Sequence, residues 1–176
     1  MDARDTHTTR HSQNVARYSK AIAREMKLPL DDQKAVHLAG LLHDVGKIGI
    51  SRSCLSKAGR LTSEELKEIR RHPILSFELI AEIPGFHDIA MIVLYHHERI
   101  DGQGYPRGIK GEEIPLGSRI LCVADSFDAM ISERVYREAM PISQAMSELE
   151  RCAGTQFDPE VVRAFCSYLK REGISS

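Results

Sequence analysis

The chain has no tryptophan, only 6% aromatic residues, and four cysteines among its 176 residues. Cys54, Cys122, Cys152 and Cys166 form no CxxC pair, which argues against a disulfide scaffold or a zinc finger and for a reducing compartment. Long apolar runs are missing as well. The longest, Ile89 to Tyr95, is far short of a membrane span. Met1 to His11 is polar and charged rather than a secretory signal, so the expectation is a soluble cytoplasmic protein. Neither sign of charge dominates, since 24 Lys plus Arg stand against 25 Asp plus Glu, for a net charge of −1. That balance excludes a general electrostatic grip on DNA, RNA or an anionic membrane. An anionic ligand must then be held by local groups.

Alternating strand patterns are also absent, and the periodicity is helical almost throughout. Val15, Tyr18, Ile22 and Met26 fall on one stripe that stops near Pro29. Residues 33 to 45 are apolar nearly all round, which predicts a buried central helix. Thr62 and Glu65 form a capping-box pattern. Further stripes run from Phe86 to His97 and from Ile120 to Ile131, and Pro141 and Asp158-Pro159 open two short C-terminal helices. Between the stripes, Glu98 to Gly117 holds five of the twelve glycines and two of the seven prolines. It reads as a long loop of the kind that often serves as a functional lid. The expected fold class is all-α, a single domain over residues 1–176. Met1 to Asp5 looks like an uncapped helix tail, which suggests a domain excised from or terminal to a longer protein.

Six of the eight histidines sit in tight local patterns. His43-Asp44 closes the apolar helix, with Lys47 four residues after His43. A charged trio there costs several kcal/mol unless compensated, and a divalent metal would compensate it. A helix terminus with a solvated Asp is the alternative. His96-His97 ends another apolar stripe, and its spacing points His97 inward. Imidazole is the commonest metal ligand, although a lone inward histidine is usually a hydrogen-bonded core residue. His72 precedes a proline, His11 lies four residues after His7, and Asp125 edges an apolar stripe where Asp128 only adds like charge. Together they form a nitrogen-and-carboxylate set drawn from five helices, which is what a two-metal site in a helical bundle requires.

HDVGKIGI, the His72-Pro73 pair, HHERIDGQGYP, IPLGSRI and VADSFDAM closely resemble the HD-GYP family, the cyclic-dinucleotide branch of the HD metal-dependent phosphohydrolases. The resemblance runs from Asp5 to Phe165. It implies an HD-type bundle of about seven helices holding two metal ions, sometimes three, commonly iron or manganese, with nickel or zinc also suited to such ligands. By motif position the implied ligands are His11, His43, Asp44, His72, His96, His97 and Asp125, with Asp44 bridging two ions. Lys47 matches the lysine at the scissile phosphate. Gly102, Gly104, Tyr105 and Pro106 match the substrate-facing loop, with Tyr105 set to pack on a guanine. Arg134 and Arg137 match cationic positions that steady phosphates. Position 7, often Tyr or Glu in the family, is His here, and His7 shares a helix face with His11 as a candidate third-metal ligand. Ser76 replaces a frequent Gly, Ile131 a frequent Thr or Ser, and Val135 a usual Pro.

The chemistry fits independently. Two metals about 3.5–4 Å apart lower the pKa of a shared water and hold phosphate oxygens for in-line attack. The expected activity is hydrolysis of cyclic di-GMP by a metal-bridged hydroxide to linear pGpG, then GMP, in bacterial second-messenger signalling. The alternatives are 3'3'-cGAMP as substrate, or a non-catalytic nucleotide-sensing or docking module. Cyclase or regulatory-domain partners and a homodimer complete the partner classes the resemblance implies.

Overall fold

Helix is the rule because apolar residues recur at helical spacing and proline is confined to helix starts and turns. The structure is a computed structural model that describes the backbone of residues 3–57, 59–133 and 139–174, with side chains from residue 10 onward. Nine α-helices lie among the described residues: α1 (Ala3–Glu25), α2 (Leu30–Leu42), α3 (Arg52–Leu55), α4 (Ser63–Ile69), α5 (His72–Ala81), α6 (His87–Leu94), α7 (Leu116–Ile131), α8 (Ile142–Arg151) and α9 (Pro159–Arg171). Two 3-10 turns, Val45–Gly49 and Gly111–Glu113, complete the described elements, which include no strand. The all-α expectation holds. The helix count exceeds the one the resemblance implies because α3 and α4 are short separate pieces of four and seven residues.

Local signals account for the boundaries. Thr62 and Glu65 form the reciprocal capping box at α4. Pro73 occupies the first turn of α5. Pro141 stands at the N-cap of α8, and the Asp158 carboxylate accepts from the Glu160 amide at the start of α9.

The core gathers α1, α2, α6, α7, α8 and α9 around Ile22, Val36, Val93, Phe127, Leu149 and Phe165. Tyr18, Phe127 and Phe165 form an edge-to-face trio with centroids 4.9–5.5 Å apart. Each such pair adds about 0.5–1.5 kcal/mol beyond its area burial. One crossing matters for the site: a Cβ on Gly40 would lie 2.5 Å from the Ala16 Cα. Glycine therefore lets α2 touch the α1 backbone, which sets His43 beside His11.

Two expectations are corrected. The helix over residues 33–45 is not buried all round. It ends at Leu42, only Val36, Ala39 and Gly40 are buried within it, and Leu41 and Val45 are 39% and 40% exposed. It packs on α1, α6 and α7 through one face, which leaves Leu41 on the opposite face at the surface. Likewise α6 stops at Leu94, so His97 does not continue a helical stripe. In the turn that follows, His96 is the fully buried histidine and His97 is half-buried.

Candidate metal centre

Three side chains arrive at helix ends. The last carbonyls of a helix have no intrahelical partner, and three histidines use them. His43 Nδ1 bonds Gly40 O at 2.8 Å, His72 Nδ1 bonds Ile69 O at 2.8 Å, and His96 Nδ1 bonds Val93 O at 2.6 Å. A carbonyl only accepts, so each Nδ1 carries the proton and each Nε2 keeps its lone pair. His11, in mid-helix, has no such carbonyl. Its Nδ1 instead bonds the Asp128 carboxylate at 2.7 Å.

The candidate ligand atoms converge into two groups. His11, His43 and Asp125 form one, and His72, His96 and His97 form the other, each with ligand atoms within 4.8 Å of one another. Asp44 stands between them: one carboxylate oxygen is 3.4 Å from His43 Nε2 and the other is 3.5 Å from His72 Nε2. His11 Nε2 is 3.2 Å from Asp125 Oδ1. His72 Nε2 and His96 Nε2 are buried and have no hydrogen-bond partner. Each such atom costs about 1–3 kcal/mol if nothing satisfies it.

Electrostatics sort the groups further. Burial pushes His97 down to about 4, and also lowers His72 and, well below its ordinary value, His96. These three are neutral at pH 7, the state a metal ligand needs. Burial would raise Asp44 and Asp125, but neighbouring groups reverse it. The His43 ring and Lys47 ammonium hold Asp44 below the usual carboxylate range, and His11 and His43 do the same for Asp125. His11 goes the other way: burial is overcome by its bonds to Asp125 and Asp128, and it is pushed up to about 9. Neutral His72, His96 and His97, ionised Asp44 and Asp125, and two orphaned buried nitrogens make a cluster that fits divalent ions, whose binding would displace the proton His11 otherwise holds.

Lys47 Nζ lies 2.6 Å from Asp44 Oδ2, its place fixed by the 3-10 turn that follows Asp44. That turn is knitted to α5 by Ser76, whose hydroxyl accepts from Gly46 N at 2.8 Å and donates to His43 O at 2.9 Å. Ser76 thus braces the HD turn, and a Cβ on Gly46 would sit 2.4 Å from His72 O and Ser76 N. The Glu98–Gly117 segment is a loop as expected, although α7 already begins at Leu116. Tyr105 N donates to His97 O, Gly111 N to Ile100 O and Asp101 N to Thr155 O. The Glu98 carboxylate accepts from Arg107 N and Gly108 N at 2.6 and 3.0 Å. Gly104 packs on the backbone of residues 97–99, where a Cβ would find atoms at 2.5–2.6 Å. The Tyr105 ring stacks on His97 at 4.8 Å, and the Arg70 guanidinium lies 5.2 Å from its centroid. Gly102 adopts a positive φ of 78°, and Pro106 follows Tyr105 through a cis bond.

The structure therefore brings together His11, His43, Asp44, Lys47, His72, His96, His97, Asp125 and the Gly102–Pro106 loop. The side chain of His7, and Arg134, Val135 and Arg137 altogether, lie outside the described residues. Asp128 was missed as a like-charge neighbour; it is fully buried and takes His11 Nδ1, the Asn14 amide at 2.9 Å and the Ser132 hydroxyl at 3.3 Å. The sequence signal was available, since Asp125 and Asp128 share a helix face and a second carboxylate behind a histidine is how ligands are oriented. Arg70, Glu98 and Ser76 were missed because only the loop and turn geometry gives them a role.

Comparison with known proteins decides the family. A profile described as HD domain matches residues 1–161. The chain belongs to the HD domain family. Among curated relatives, it is 43% identical over 164 residues to a cyclic di-GMP phosphodiesterase of Thermotoga maritima, covering 92% of this chain and 45% of that one. It is 40% identical over 164 residues to 3'3'-cGAMP-specific phosphodiesterase 3 of Vibrio cholerae, covering 93% and 36%. The chain thus spans less than half the length of these relatives. Among solved structures, an HDG"Y"P protein from Bdellovibrio bacteriovorus superposes with a TM-score of 0.75 at 20% identity, covering 97% of this chain and 55% of that one. A cyclic GMP-AMP specific phosphodiesterase of Vibrio cholerae superposes at 0.73 and 21% identity, covering 91% and 44%. These structures share the fold, in line with the HD-GYP resemblance of the motifs. Among the described residues no helix is long and apolar enough to cross a membrane.

Proposed function

We propose that this HD domain is a metal-dependent phosphodiesterase of bacterial second-messenger signalling, acting in the cytoplasm, that opens cyclic di-GMP to linear pGpG and then to GMP. The observation that carries the reading is Asp44, whose two oxygens face the two histidine groups separately. His11, His43 and Asp125 would hold one ion and His72, His96 and His97 the other, with Asp44 shared. Iron or manganese suits this ligand set first, nickel or zinc second. When bound, such a pair neutralises phosphate charge and supplies a nucleophile at neutral pH. His7 is the proposed ligand of a third ion.

The chain's own residues do the rest. Lys47 Nζ brings positive charge and three donors beside Asp44, in position to neutralise the phosphate and give a proton to the departing 3' oxygen. The Gly102–Pro106 loop stands over His97 and limits access of water. Arg134 and Arg137 are proposed phosphate contacts, well suited because guanidinium pairs with phosphate in a bidentate manner. Residues 1–176 act as one catalytic domain in this reading.

The test is turnover of cyclic di-GMP by the purified chain loaded with Mn and, anaerobically, with Fe. Linear product from either form is expected, and none from both would sink the reading. A second substrate, 3'3'-cGAMP, is favoured by one observation: relatives named for each dinucleotide are similarly close, at 43% and 40% identity. Competing the two in one assay ranks them. A sensing or docking module that meets cyclase or regulatory partners, as a homodimer or alone, would bind nucleotide and metal without turnover.

A further inference from the structure

Asp44 reaches both histidine groups only if the elements that carry them keep a fixed spacing. His72 stands at the start of α5, which packs mainly on α6 and on the 3-10 turn Val45–Gly49 that follows Asp44. Two contacts set the distance across that seam. A Cβ on Gly46 would lie 2.4 Å from His72 O and Ser76 N, so backbone meets backbone there. Ser76, one turn beyond His72 and fully buried, supplies the other. Its hydroxyl donates to His43 O at 2.9 Å and accepts from Gly46 N at 2.8 Å, so it grips the chain on both sides of Asp44. Among the described residues these are the two hydrogen bonds that cross from α5 to residues 43–49. A helical serine commonly returns its proton to the carbonyl one turn back, which here is His72 O. Ser76 instead spends that proton across the seam, as the glycine frequent at this family position could not.

We infer that Ser76 is a positioning residue that fixes the separation of the two metal ions, by locking His72 to the turn that presents Asp44. The inference rests on the metal-dependent reading above and deepens it. The Asp44 oxygens stand 3.4 Å from His43 Nε2 and 3.5 Å from His72 Nε2, and a paired site works with its ions about 3.5–4 Å apart. A shift of α5 along the turn changes the span from Asp44 to His72 without removing a ligand. Loss of the hydroxyl leaves His43 O and Gly46 N buried without that partner, a cost that such a shift relieves by admitting water. A misplacement of about 1 Å can cost a reaction about 100-fold, so the role is felt in the geometry of the ion pair and in kcat rather than in the number of ions bound.

The test loads the chain with Mn(II) and reads the spin coupling of the ion pair by low-temperature electron paramagnetic resonance, which needs no substrate. The unmodified chain is expected to show a coupled pair. Ser76→Ala should bind as much metal by elemental analysis but weaken or abolish the coupling. Its kcat for cyclic di-GMP should fall at least about tenfold, with KM within about twofold. Ser76→Gly also lacks the hydroxyl and should match it, whereas Ser76→Thr keeps the hydroxyl and should restore the coupling. Unchanged coupling in folded Ser76→Ala and Ser76→Gly overturns the inference, as does a folded Ser76→Thr that behaves like Ser76→Ala. Loss of fold or of an ion in both hydroxyl-free variants overturns it as well, since the serine would then be purely structural. An unmodified chain that never holds a coupled pair does the same. Coupling lost in Ser76→Ala while neither chain cuts cyclic di-GMP would instead overturn the proposed reaction and leave the positioning role standing.

Discussion

Asp128 offers the sharpest test of how the centre is built. It sits fully buried on α7, one turn beyond Asp125, and its carboxylate receives His11 Nδ1 at 2.7 Å. That bond holds the proton on Nδ1 and turns Nε2 towards Asp125, 3.2 Å away. Asp128→Ala removes the acceptor, frees the ring to rotate or to change tautomer, and leaves the Asn14 amide without its partner. Loss of an outer carboxylate behind a histidine ligand typically costs 10–100-fold in metal affinity, which corresponds to about 1.4–2.8 kcal/mol. The effect should fall on one group only, because His72, His96 and His97 make no contact with Asp128. Competition against a chelating dye, with metal per chain by elemental analysis, should show one weakened equivalent and one held within about threefold. Asp128→Asn keeps the shape and an acceptor oxygen, so it should fall between the two. Unchanged affinity at both equivalents in a folded Asp128→Ala variant would refute the orienting role. Equal loss at both would show that the two histidine groups are not independent.

Lys47→Ala should lower kcat for cyclic di-GMP by about 10²–10³-fold while elemental analysis still finds the metal, since Lys47 competes with metal for Asp44 Oδ2 rather than supporting it. Gly104→Ala places a Cβ 2.5 Å from backbone atoms of Glu98 and Arg99. The loop must move, and kcat/KM should fall at least about tenfold with metal content retained; an unchanged kcat/KM would refute the fit. Stability of the metal-free chain should depend on pH in both directions. His97, lowered to about 4 from an ordinary value of 6.5, stays neutral when folded while the unfolded chain takes up a proton. Stability is then lost as pH falls from 6.5 towards 4, by about 3 kcal/mol from this residue. His11, raised to about 9, contributes stability that is present below 6.5 and lost as pH rises through 9. Urea midpoints flat from pH 4.5 to 9 would contradict both.

What the sequence made legible was what local rules control. Helix starts at Thr62, Pro73 and Asp158 follow from capping chemistry, and the stripes of α1 and α7 place Ile22 and Phe127 in the core without knowledge of their partners. The candidate metal cluster was readable because all of its residues except His11 belong to short motifs. What escaped depends on other parts of the chain. Leu41 and Val45 look as apolar as Val36, but only the packing of α1, α6 and α7 decides which face of α2 is covered. His96, not His97, is the fully buried member of its pair because α6 ends at Leu94, a boundary that periodicity continued past. Asp128 resembled a repulsive neighbour of Asp125 until His11, 117 residues earlier, appeared between them. Ser76, seen in isolation, was a departure from a family pattern; its value lies in reaching both His43 O and Gly46 N across a chain separation of about thirty residues.

The carbonyls behind His43, His72 and His96 lie only three residues upstream. The choice of which ring nitrogen stays bare is thus made inside single helix ends, as a portable property of a few consecutive residues. A segment such as 40–44, moved to the end of another helix, would carry its oriented imidazole with it. His11 alone depends on a distant residue, through the seating of α1 on α7. Local fraying of α1 would therefore dismantle one half of the centre and spare the other. The weakest joint of the pair is the N-terminal helix rather than the motifs that make the sequence recognisable.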